Sequence, residues 1–175
     1  AASKIPTTII RPPAVYGERD EATVSVFLAM RYHIALLMGF TPKWVSLVYV
    51  GDLVRGSVDA MESNVTIGKT YALAGEKAYT WSEISQEIGE AVHTWFVRLR
   101  LPHVVVLALG ALSGFLGKLR GTTPVFNYEK GIDFIQHAWV CSNEEAKRDF
   151  DYQPLVSLRD GIRATTAWYK QQGWL

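Results

Sequence analysis

The chain has 175 residues, 49% of them hydrophobic and 20% charged, and its 18 lysines and arginines nearly balance 17 acidic residues, for a formal net charge of +1. This composition is typical of a folded domain, and the near-neutral charge speaks against a nucleic acid as a partner. Cys141 is the only cysteine, which excludes an internal disulfide and paired thiolate metal ligands and fits a reducing compartment, so we expect a cytoplasmic protein.

Strands and helices alternate from the start of the chain. The β-branched run TTII (7–10) predicts a buried strand that ends before Pro12, and the apolar stretches of residues 22–37 predict a helix. The run WVSLVYV (44–50) predicts another strand, and Asp52 stands where a helix N-cap is expected. The inner side of the helix that follows is expected to consist of Leu53, Val54, Val58 and Met61.

The alternation continues beyond this helix. The run KTYALAG (69–75) predicts a strand, and Thr80 followed by Glu83 is typical of a capping box, with Ser82 as the alternative cap. The expected apolar stripe of the capped helix is Ile84, Ile88 and Val92. The run WFVRLRL (95–101) alternates like a strand with one polar face. The remaining predictions are a helix near 124–137, a strand at AWVC (138–141), a helix begun by Ser142 or Asn143, and a helix over 157–172 that ends at Gly173.

An uncharged run, LPHVVVLALGALSGFLG (101–117), tests whether the chain enters a membrane. Spanning a bilayer takes about 20 apolar residues, so this shorter run predicts a buried or interfacial helix. Its glycines Gly110, Gly114 and Gly117 are spaced i, i+4, i+7 and not as G-x-G-x-x-G. They line one face of a helix, which favours close packing of another helix over nucleotide binding.

Residues 1–175 offer no self-contained catalytic set. The histidines lack the spacing of metal ligands, Ser113 does not lie in a G-x-S-x-G elbow, and no Tyr-x-x-x-Lys pair occurs. Tyr16 has no lysine one helical turn away that would lower its pKa. We therefore assign no catalytic residue and no metal ligand, and we read the scattered tryptophans and tyrosines as packing residues and not as a nucleic-acid surface.

The alternating pattern predicts an α/β fold, but the number of strands is small. TTII is apolar on both faces and needs neighbours on both sides, yet no second parallel strand lies next to it in sequence.

Four segments, in order, resemble the C-terminal half of the extended short-chain dehydrogenase/reductases. They are TTIIRPPAVYGERD, VSLVYVGDLVRGSVDAM, KTYALAGEKAYTWSEISQEIGEAV, and VCSNEEAKRDFDYQPLVSLRDGIRATTAWYKQQGWL. This family includes NAD-dependent epimerases and dehydratases and the 3-beta-hydroxysteroid dehydrogenases. The proline-led apolar helix after RLRL is similar to that of the hydroxysteroid dehydrogenase and dihydroflavonol reductase branch.

The resemblance implies that residues 1–175 are the C-terminal part of a Rossmann-type NAD(P)-binding fold with a small mixed α/β substrate-binding lobe. The glycine-rich loop and the catalytic Tyr-x-x-x-Lys would then belong to an N-terminal Rossmann half that this chain lacks, and the chain alone would be inactive. The cofactor would be NAD or NADP. The implied substrate is a small molecule with a secondary alcohol or ketone, such as a sugar nucleotide, a sterol- or isoprenoid-like compound, or a flavonol.

The resemblance also implies site residues. Pro12, Pro13, Ala14 and Val15 match the segment that passes the nicotinamide ring, although RPP as a mere strand terminator is the alternative. The implied substrate-binding residues are Tyr16, Gly17, Arg19, Tyr49 and Arg55. Glu18 and Gly51 depart from the family pattern, and surface pairing is the alternative for Arg55.

Two other hypotheses stay open at this point. One is a non-enzymatic cofactor-sensing or protein-interaction module on the same fold. The other is attachment to a membrane surface through residues 101–119, which Lys118 and Arg120 flank. An exposed sheet edge would also favour a homodimer.

Overall fold

The computed structural model describes residues 5–122, 124 and 126–175, with the side chain of Arg120 left out. The strands are β1 (Ile9–Arg11), β2 (Ala14–Tyr16), β3 (Ile34–Met38), β4 (Trp44–Tyr49), β5 (Thr70–Ala72), β6 (Ala78–Thr80), β7 (Val97–Leu101) and β8 (Ala138–Trp139). The helices are α1 (Glu21–Arg31), α2 (Val50–Glu62), α3 (Trp81–Val92), α4 (His103–Arg120), α5 (Tyr128–Ile135), α6 (Glu144–Phe150) and α7 (Leu158–Gln171), with a 3-10 turn at Asn64–Thr66.

The described strands form three sheets. In the first, β1 pairs in parallel with β5. In the second, β4 lies between β2, which is parallel to it, and β6, which is antiparallel, and β8 also pairs with β4. In the third, β3 pairs in parallel with β7. The predicted α/β class is confirmed by these parallel pairs and by the helices between them.

Two apolar cores hold the sheets and helices together. The larger core joins the β2–β4–β6 sheet to α1, α3 and α7, with Val45, Phe27, Ile88 and Tyr169 at its centre. The smaller core contains Tyr71, Leu73, Ala146 and Tyr152, which belong to β5, to α6 and to the segments that follow these two elements. Because the cores are separate, the boundary between them falls where the chain passes from the first sheet to the second.

Local sequence signals predicted several elements correctly. Strands β4 and β5 fall within the predicted runs, and α7 begins after Ser157, whose side chain accepts a hydrogen bond from the Asp160 amide. Thr80 and Glu83 form the predicted capping box of α3. Asn143, and not Ser142, is the N-cap residue of α6, although Ser142 Oγ accepts a hydrogen bond from the Glu144 amide.

The predicted helix over 22–37 is wrong in its second half. Helix α1 ends at Arg31, His33 takes a left-handed conformation with φ 61°, and the chain continues as β3. Strand β3 exists because each of its residues pairs with β7, from Ile34 opposite Val97 to Met38 opposite Leu101. A partner so far along the chain outweighs the helical preference of the apolar run.

The expected inner side of α2 is wrong for three of its four residues, and only Leu53 packs against the smaller core. Asp52, Gly56 and Ala60 are the buried residues of the helix, whereas Val54, Val58 and Met61 are exposed. A Cβ at Gly56 would lie 2.5 Å from the Tyr152 ring, so this glycine lets the helix approach the smaller core closely. The small residues therefore face inward and the larger apolar ones face outward.

The apolar run forms α4, which packs along α5. Only part of the helix predicted at 124–137 is seen as α5, and residue 125 lies outside the described residues. The glycine stripe faces the segment that leads into α5: a Cβ at Gly110 would lie 2.7 Å from the carbonyl oxygen of Asn127, the N-cap residue, and one at Gly117 would lie 2.5 Å from Pro124. None of the described helices is long and apolar enough to cross a membrane.

Candidate cofactor and substrate site

The double proline after β1 marks the passage between two sheets. Strand β1 pairs with β5 up to Arg11, opposite Ala72, and β2 pairs with β4 from Ala14, opposite Leu47. Proline has no N–H to donate to a ladder, so Pro12 and Pro13 end the first pairing and allow the second to begin. The predicted cofactor segment thus lies at the junction of two sheets, at the carboxyl end of a parallel strand.

The chain after β5 also leads from the first sheet to the second. Beyond the end of β5, the Gly75 amide donates to the Leu47 carbonyl oxygen at 2.7 Å, and Leu47 is also the ladder partner of Ala14. A Cβ at Gly75 would lie 2.7 Å from that oxygen, so glycine is what permits the contact. Ala14 and Gly75 therefore both contact Leu47 of β4, although they are far apart in sequence.

Two side chains fix the turn after β5. Asn143 Nδ2 donates to the Ala74 carbonyl oxygen at 3.2 Å, and the Tyr152 hydroxyl donates to the same oxygen at 3.1 Å. Both residues are buried, and desolvation, with the nearby Asp52 charge, raises the pKa of Tyr152 to about 12. Sequence reasoning missed this role, because only the fold brings α6 and the segment after it to β5.

A tyrosine–carboxylate pair lies where β2 and β4 end. The Tyr49 hydroxyl donates to Glu18 Oε1 at 2.6 Å. Partial burial and this hydrogen bond raise the pKa of Tyr49 to about 12. Glu18 departs from the pattern of the family that the sequence resembles, and its carboxylate orients the phenol of Tyr49, a predicted substrate-binding residue.

Tyr16, also predicted to bind substrate, lies in the larger core. Its ring packs edge-on against Tyr49 with centroids 5.8 Å apart, and Gly161 on α7 leaves the space that its hydroxyl occupies. Burial raises the pKa of Tyr16 above its ordinary value. The phenol therefore stays protonated at neutral pH, and the ring supports Tyr49.

The turn after β2 has two unusual backbone conformations. Gly17 has φ 146°, and a Cβ there would lie 2.5 Å from a side-chain methyl of Val50, so the position requires glycine. Arg19 is left-handed with φ 67° and is exposed. Asp20 then caps α1 by accepting a hydrogen bond from the Ala22 amide at 2.9 Å. The turn thus carries Arg19 outward beside the Tyr49–Glu18 pair.

Asp52 and Arg55 form a clamp on a different part of the chain. The prediction that Asp52 is the N-cap of α2 is wrong. Tyr49 is the N-cap residue, and Asp52 lies buried in the first turn of the helix. Its carboxylate accepts from the amides of Leu155 and Val156 at 3.0–3.2 Å and pairs with Arg55 at 2.9 Å. Arg55 also donates to the Gln153 carbonyl oxygen at 2.5 Å.

Arg55 is therefore engaged with segment 153–156, whereas Tyr49 is engaged with Glu18. The part of Arg55 in substrate binding stays a prediction. Its observed ion pair differs from the surface pair given as the alternative, because the partner Asp52 is buried.

The described residues hold no cluster of three or more His, Cys, Asp or Glu side chains suited to a metal. A groove of about 320 Å³ lies elsewhere, along α4, lined by Leu109, Leu112, Leu116 and Pro124 among others. The junction offers rigid backbone, apolar surface and one oriented phenol. Such groups bind and orient a ligand, and the raised pKa of Tyr49 opposes its use as a proton acceptor.

Sequence comparison relates the chain to longer proteins. It is 28% identical over 168 residues to the ceramide reductase of Caulobacter vibrioides, a match covering 95% of the chain and 52% of that protein. It is 32% identical over 108 residues to the mouse (Mus musculus) NADH dehydrogenase (ubiquinone) 1 alpha subcomplex subunit 9, mitochondrial, covering 61% of the chain and 28% of that protein. No protein-family model matches the chain.

Structural comparison gives the same picture at lower identity. An epimerase from Methanothermobacter thermautotrophicus matches with a TM-score of 0.72 and 18% identity, over 98% of the chain and 45% of that protein. The UDP-glucuronic acid 4-epimerase of Bacillus cereus, in complex with UDP-glucuronic acid and NAD, matches with a TM-score of 0.67 and 21% identity, over 96% of the chain and 46% of that protein. The chain thus has the fold of the corresponding part of these epimerases, and it spans about half the length of the relatives and structures it matches most fully.

Proposed function

We propose that residues 1–175 are the substrate-binding, C-terminal part of an NAD(P)-dependent oxidoreductase or epimerase of the extended short-chain dehydrogenase/reductase type. The observation that carries the proposal is the sheet junction, where β1 and β5 end together and Pro12 and Gly75 lead both chains onto β4. In open α/β sheets, ligands bind outside the carboxyl ends of parallel strands, where the order of the sheet changes.

The sequence and structure relatives support the same reaction class. One relative is named as a reductase, and the two solved structures compared above are epimerases, one of them holding NAD. Either activity needs a secondary alcohol or a ketone at the reacting carbon. A lipid-like or a nucleotide-sugar substrate is the choice to be tested, because the ceramide reductase favours the first and the epimerases favour the second.

Pro12, Pro13, Ala14 and Val15 fit the edge of a nicotinamide cofactor. Pro12 and Ala14 are exposed at the junction, uncharged, and fixed by the ladders on either side. The cofactor, NAD or NADP, would supply hydride transfer there. In this proposal the chain's own residues exclude water from one side of the ring, while Tyr49 and Arg19 hold the substrate.

The rest of the site would come from an N-terminal Rossmann half with the glycine-rich loop and the Tyr-x-x-x-Lys pair. Its docking surface in this proposal is the exposed face of β1 and α2, where Ile9, Val54, Val58 and Met61 are between 40% and 77% exposed. Among the described strands, β5 is the only neighbour of β1, so the other edge of β1 is open for a further parallel strand.

The test uses the full protein and titrates NADH and NADPH. We expect Ala14→Leu to raise the Kd of the preferred cofactor at least about tenfold, because the larger side chain would occupy the nicotinamide edge. Ala138→Leu, at an exposed alanine on β8, is the matched control and should leave the Kd unchanged.

Turnover separates the enzyme from the alternative module. Oxidation of NADH or NADPH with a lipid-like ketone or a nucleotide-sugar ketone supports the enzyme and identifies the substrate class. Binding without turnover on any secondary alcohol or ketone would favour a cofactor-sensing module. The cofactor site would be refuted if Ala14→Leu bound the cofactor as tightly as the unmodified protein.

A further inference from the structure

The charges of the chain are segregated along its sequence. Residues 22–51 and 91–128 contain none of the 17 carboxylates, but they do contain Arg31, Lys43, Arg98, Arg100, Lys118 and Arg120. These two stretches therefore carry a formal charge of +6, and the remainder of the chain carries −5. A net charge of +1 conceals this asymmetry, which is typical of proteins that meet an anionic surface.

The acid-free stretches fold together. Strand β3 comes from the first stretch and β7 from the second, and they pair along their whole length. Strand β7 leads through Pro102 into α4, and the His103 ring at the start of α4 fills the space beside Gly39, just after β3. The β3–β7 pair and α4 thus form one contiguous part of the molecule.

One face of the β3–β7 pair is apolar and open. Ile34 pairs with Val97 and Leu36 with Leu99, and all four side chains are between 40% and 60% exposed. On the opposite face of β3, Ala35 and Leu37 are buried, and Ala35 belongs to the larger core. A two-stranded sheet face of four branched aliphatic side chains has no covering layer among the described residues.

Helix α4 also has an open apolar stripe. Its glycines face α5, and the residues spaced i, i+4, i+7, i+11 and i+14 along another side are between 40% and 69% exposed. They are Val105, Leu109, Leu112, Leu116 and Leu119. The stripe runs from Val105 to Leu119 along this 18-residue helix, so it is about 21 Å long. Exposed apolar patches of this extent mark interaction sites.

Exposed cations lie beside this apolar surface. Arg31 ends the helix before β3, and Lys118 lies in the last turn of α4. Arg98 and Arg100 belong to the opposite face of β7, where they donate to Gln86 Oε1 and to the Phe40 carbonyl oxygen. Amphipathic surfaces with aliphatic residues and basic neighbours bind at the headgroup level of bilayers, and anionic lipids attract the cations. A second copy of the chain would instead bring two surfaces of the same positive charge together, which costs free energy.

We propose that the open face of the β3–β7 pair and the exposed stripe of α4 form a docking surface for an anionic phospholipid bilayer. The aliphatic side chains would enter the boundary between headgroups and acyl chains, and Arg31 and Lys118 would contact lipid phosphates. This surface is separate from the β1–α2 face proposed for the N-terminal half, so its test does not depend on the enzymatic activity.

The experiment measures sedimentation of the full protein with phosphatidylcholine vesicles that contain or lack phosphatidylserine. We expect binding that requires phosphatidylserine and that falls as salt is added. Leu112→Glu and Leu99→Glu should each lower the partition coefficient at least about tenfold, since each would place a charge among buried lipid contacts. Lys118→Glu should lower it by about fivefold or more, the effect of one cation near the surface.

Leu155→Glu is the matched control, because Leu155 is exposed but belongs to the acidic remainder of the chain. It should bind vesicles like the unmodified protein. Hydrogen exchange on the unmodified protein gives a second measurement that needs no variant: vesicles should protect residues 34–38, 97–101 and 103–119 but not α2.

Three outcomes would overturn the proposal. They are no binding to phosphatidylserine vesicles, equal losses in Leu112→Glu and Leu155→Glu, and a concentration-dependent dimer, seen by analytical ultracentrifugation, that Leu112→Glu dissociates. The last result would assign the surface to a second copy of the chain.

Discussion

Asp52 shows how a buried charge can be mistaken for a helix cap. Its position before an apolar run is where caps occur, but Asp52 lies in the first turn of α2. Its carboxylate accepts hydrogen bonds from two amides of the segment before α7 and forms an ion pair with Arg55. Burying a carboxylate is costly unless donors surround it, and here two N–H groups and a guanidinium do so. The residue thus ties α2 to segment 153–156.

We predict that Asp52→Asn destabilises the protein by about 2–3 kcal/mol. The amide keeps the shape of the side chain but removes the partner of Arg55 and turns an NH2 group toward a backbone N–H. Arg55 is partly exposed, so water recovers part of the lost pairing. Urea denaturation at neutral pH measures the change in the free energy of unfolding.

Asp59→Asn is the control for this prediction, because Asp59 lies on the same helix but is exposed. It should change the free energy of unfolding by less than about 0.5 kcal/mol. Equal losses in the two variants would mean that helix propensity or net charge, and not the clamp, sets the stability.

At the scale of elements, the sequence was informative where a structure is decided locally. The capping box of α3 and strand β4 follow from residues within a few positions of one another, and both are confirmed. Strand β3 was missed because its ladder partner lies in β7, and the inner face of α2 was missed because Gly56 is selected by the distant Tyr152 ring. Propensity acts over short distances, whereas these choices depend on tertiary contacts.

The candidate site divides in the same way. The proline segment Pro12–Val15 was recognisable because proline leaves a local mark and because the segment resembles a family pattern. Asn143 and Tyr152, which hold the turn beside it, are ordinary polar residues in sequence. Only the packing of α6 against β5 gives them their role.

The α4–α5 pair provides a prediction at this scale. Gly110→Ala would place a Cβ 2.7 Å from the Asn127 carbonyl oxygen, a backbone atom that cannot turn aside. We expect a loss of about 1–3 kcal/mol from overpacking, offset by at most about 1 kcal/mol of helix propensity. Thermal unfolding measures the loss, and faster amide exchange in α5 would show that the two helices separate.

Gly114→Ala is a matched substitution in the same helix. The nearest atom to its Cβ would be 3.9 Å away, which is ordinary contact. The helix should therefore gain up to about 1 kcal/mol. If Gly110→Ala and Gly114→Ala had the same effect, helix propensity alone would explain both, and the close approach of α5 would be wrong.

For the whole molecule, tyrosines that pack in both cores make the free energy of unfolding depend on pH in the alkaline range. Burial, the first cause in each case, raises the pKa of Tyr49, Tyr79 and Tyr152 to about 12. The unfolded chain gives up these protons near the ordinary value of 10. Stability from the neutral phenols is therefore fully present below about pH 10 and is lost as the pH rises toward 12. Lys43, whose pKa burial lowers, acts in the opposite direction but is a single group.

We predict that the free energy of unfolding falls steeply between about pH 10 and pH 12, by about 1–2 kcal/mol for each buried tyrosine. Urea titrations across this range, followed by tyrosinate absorbance, measure the fall. Tyr152→Phe should make the pH dependence shallower, because Tyr152 is buried, whereas Tyr32→Phe should leave it unchanged, because Tyr32 is exposed. If the free energy of unfolding fell equally steeply with pH in both variants, alkaline unfolding would come from general charge repulsion. Ionisation of the tyrosines in the two cores would then not be its cause.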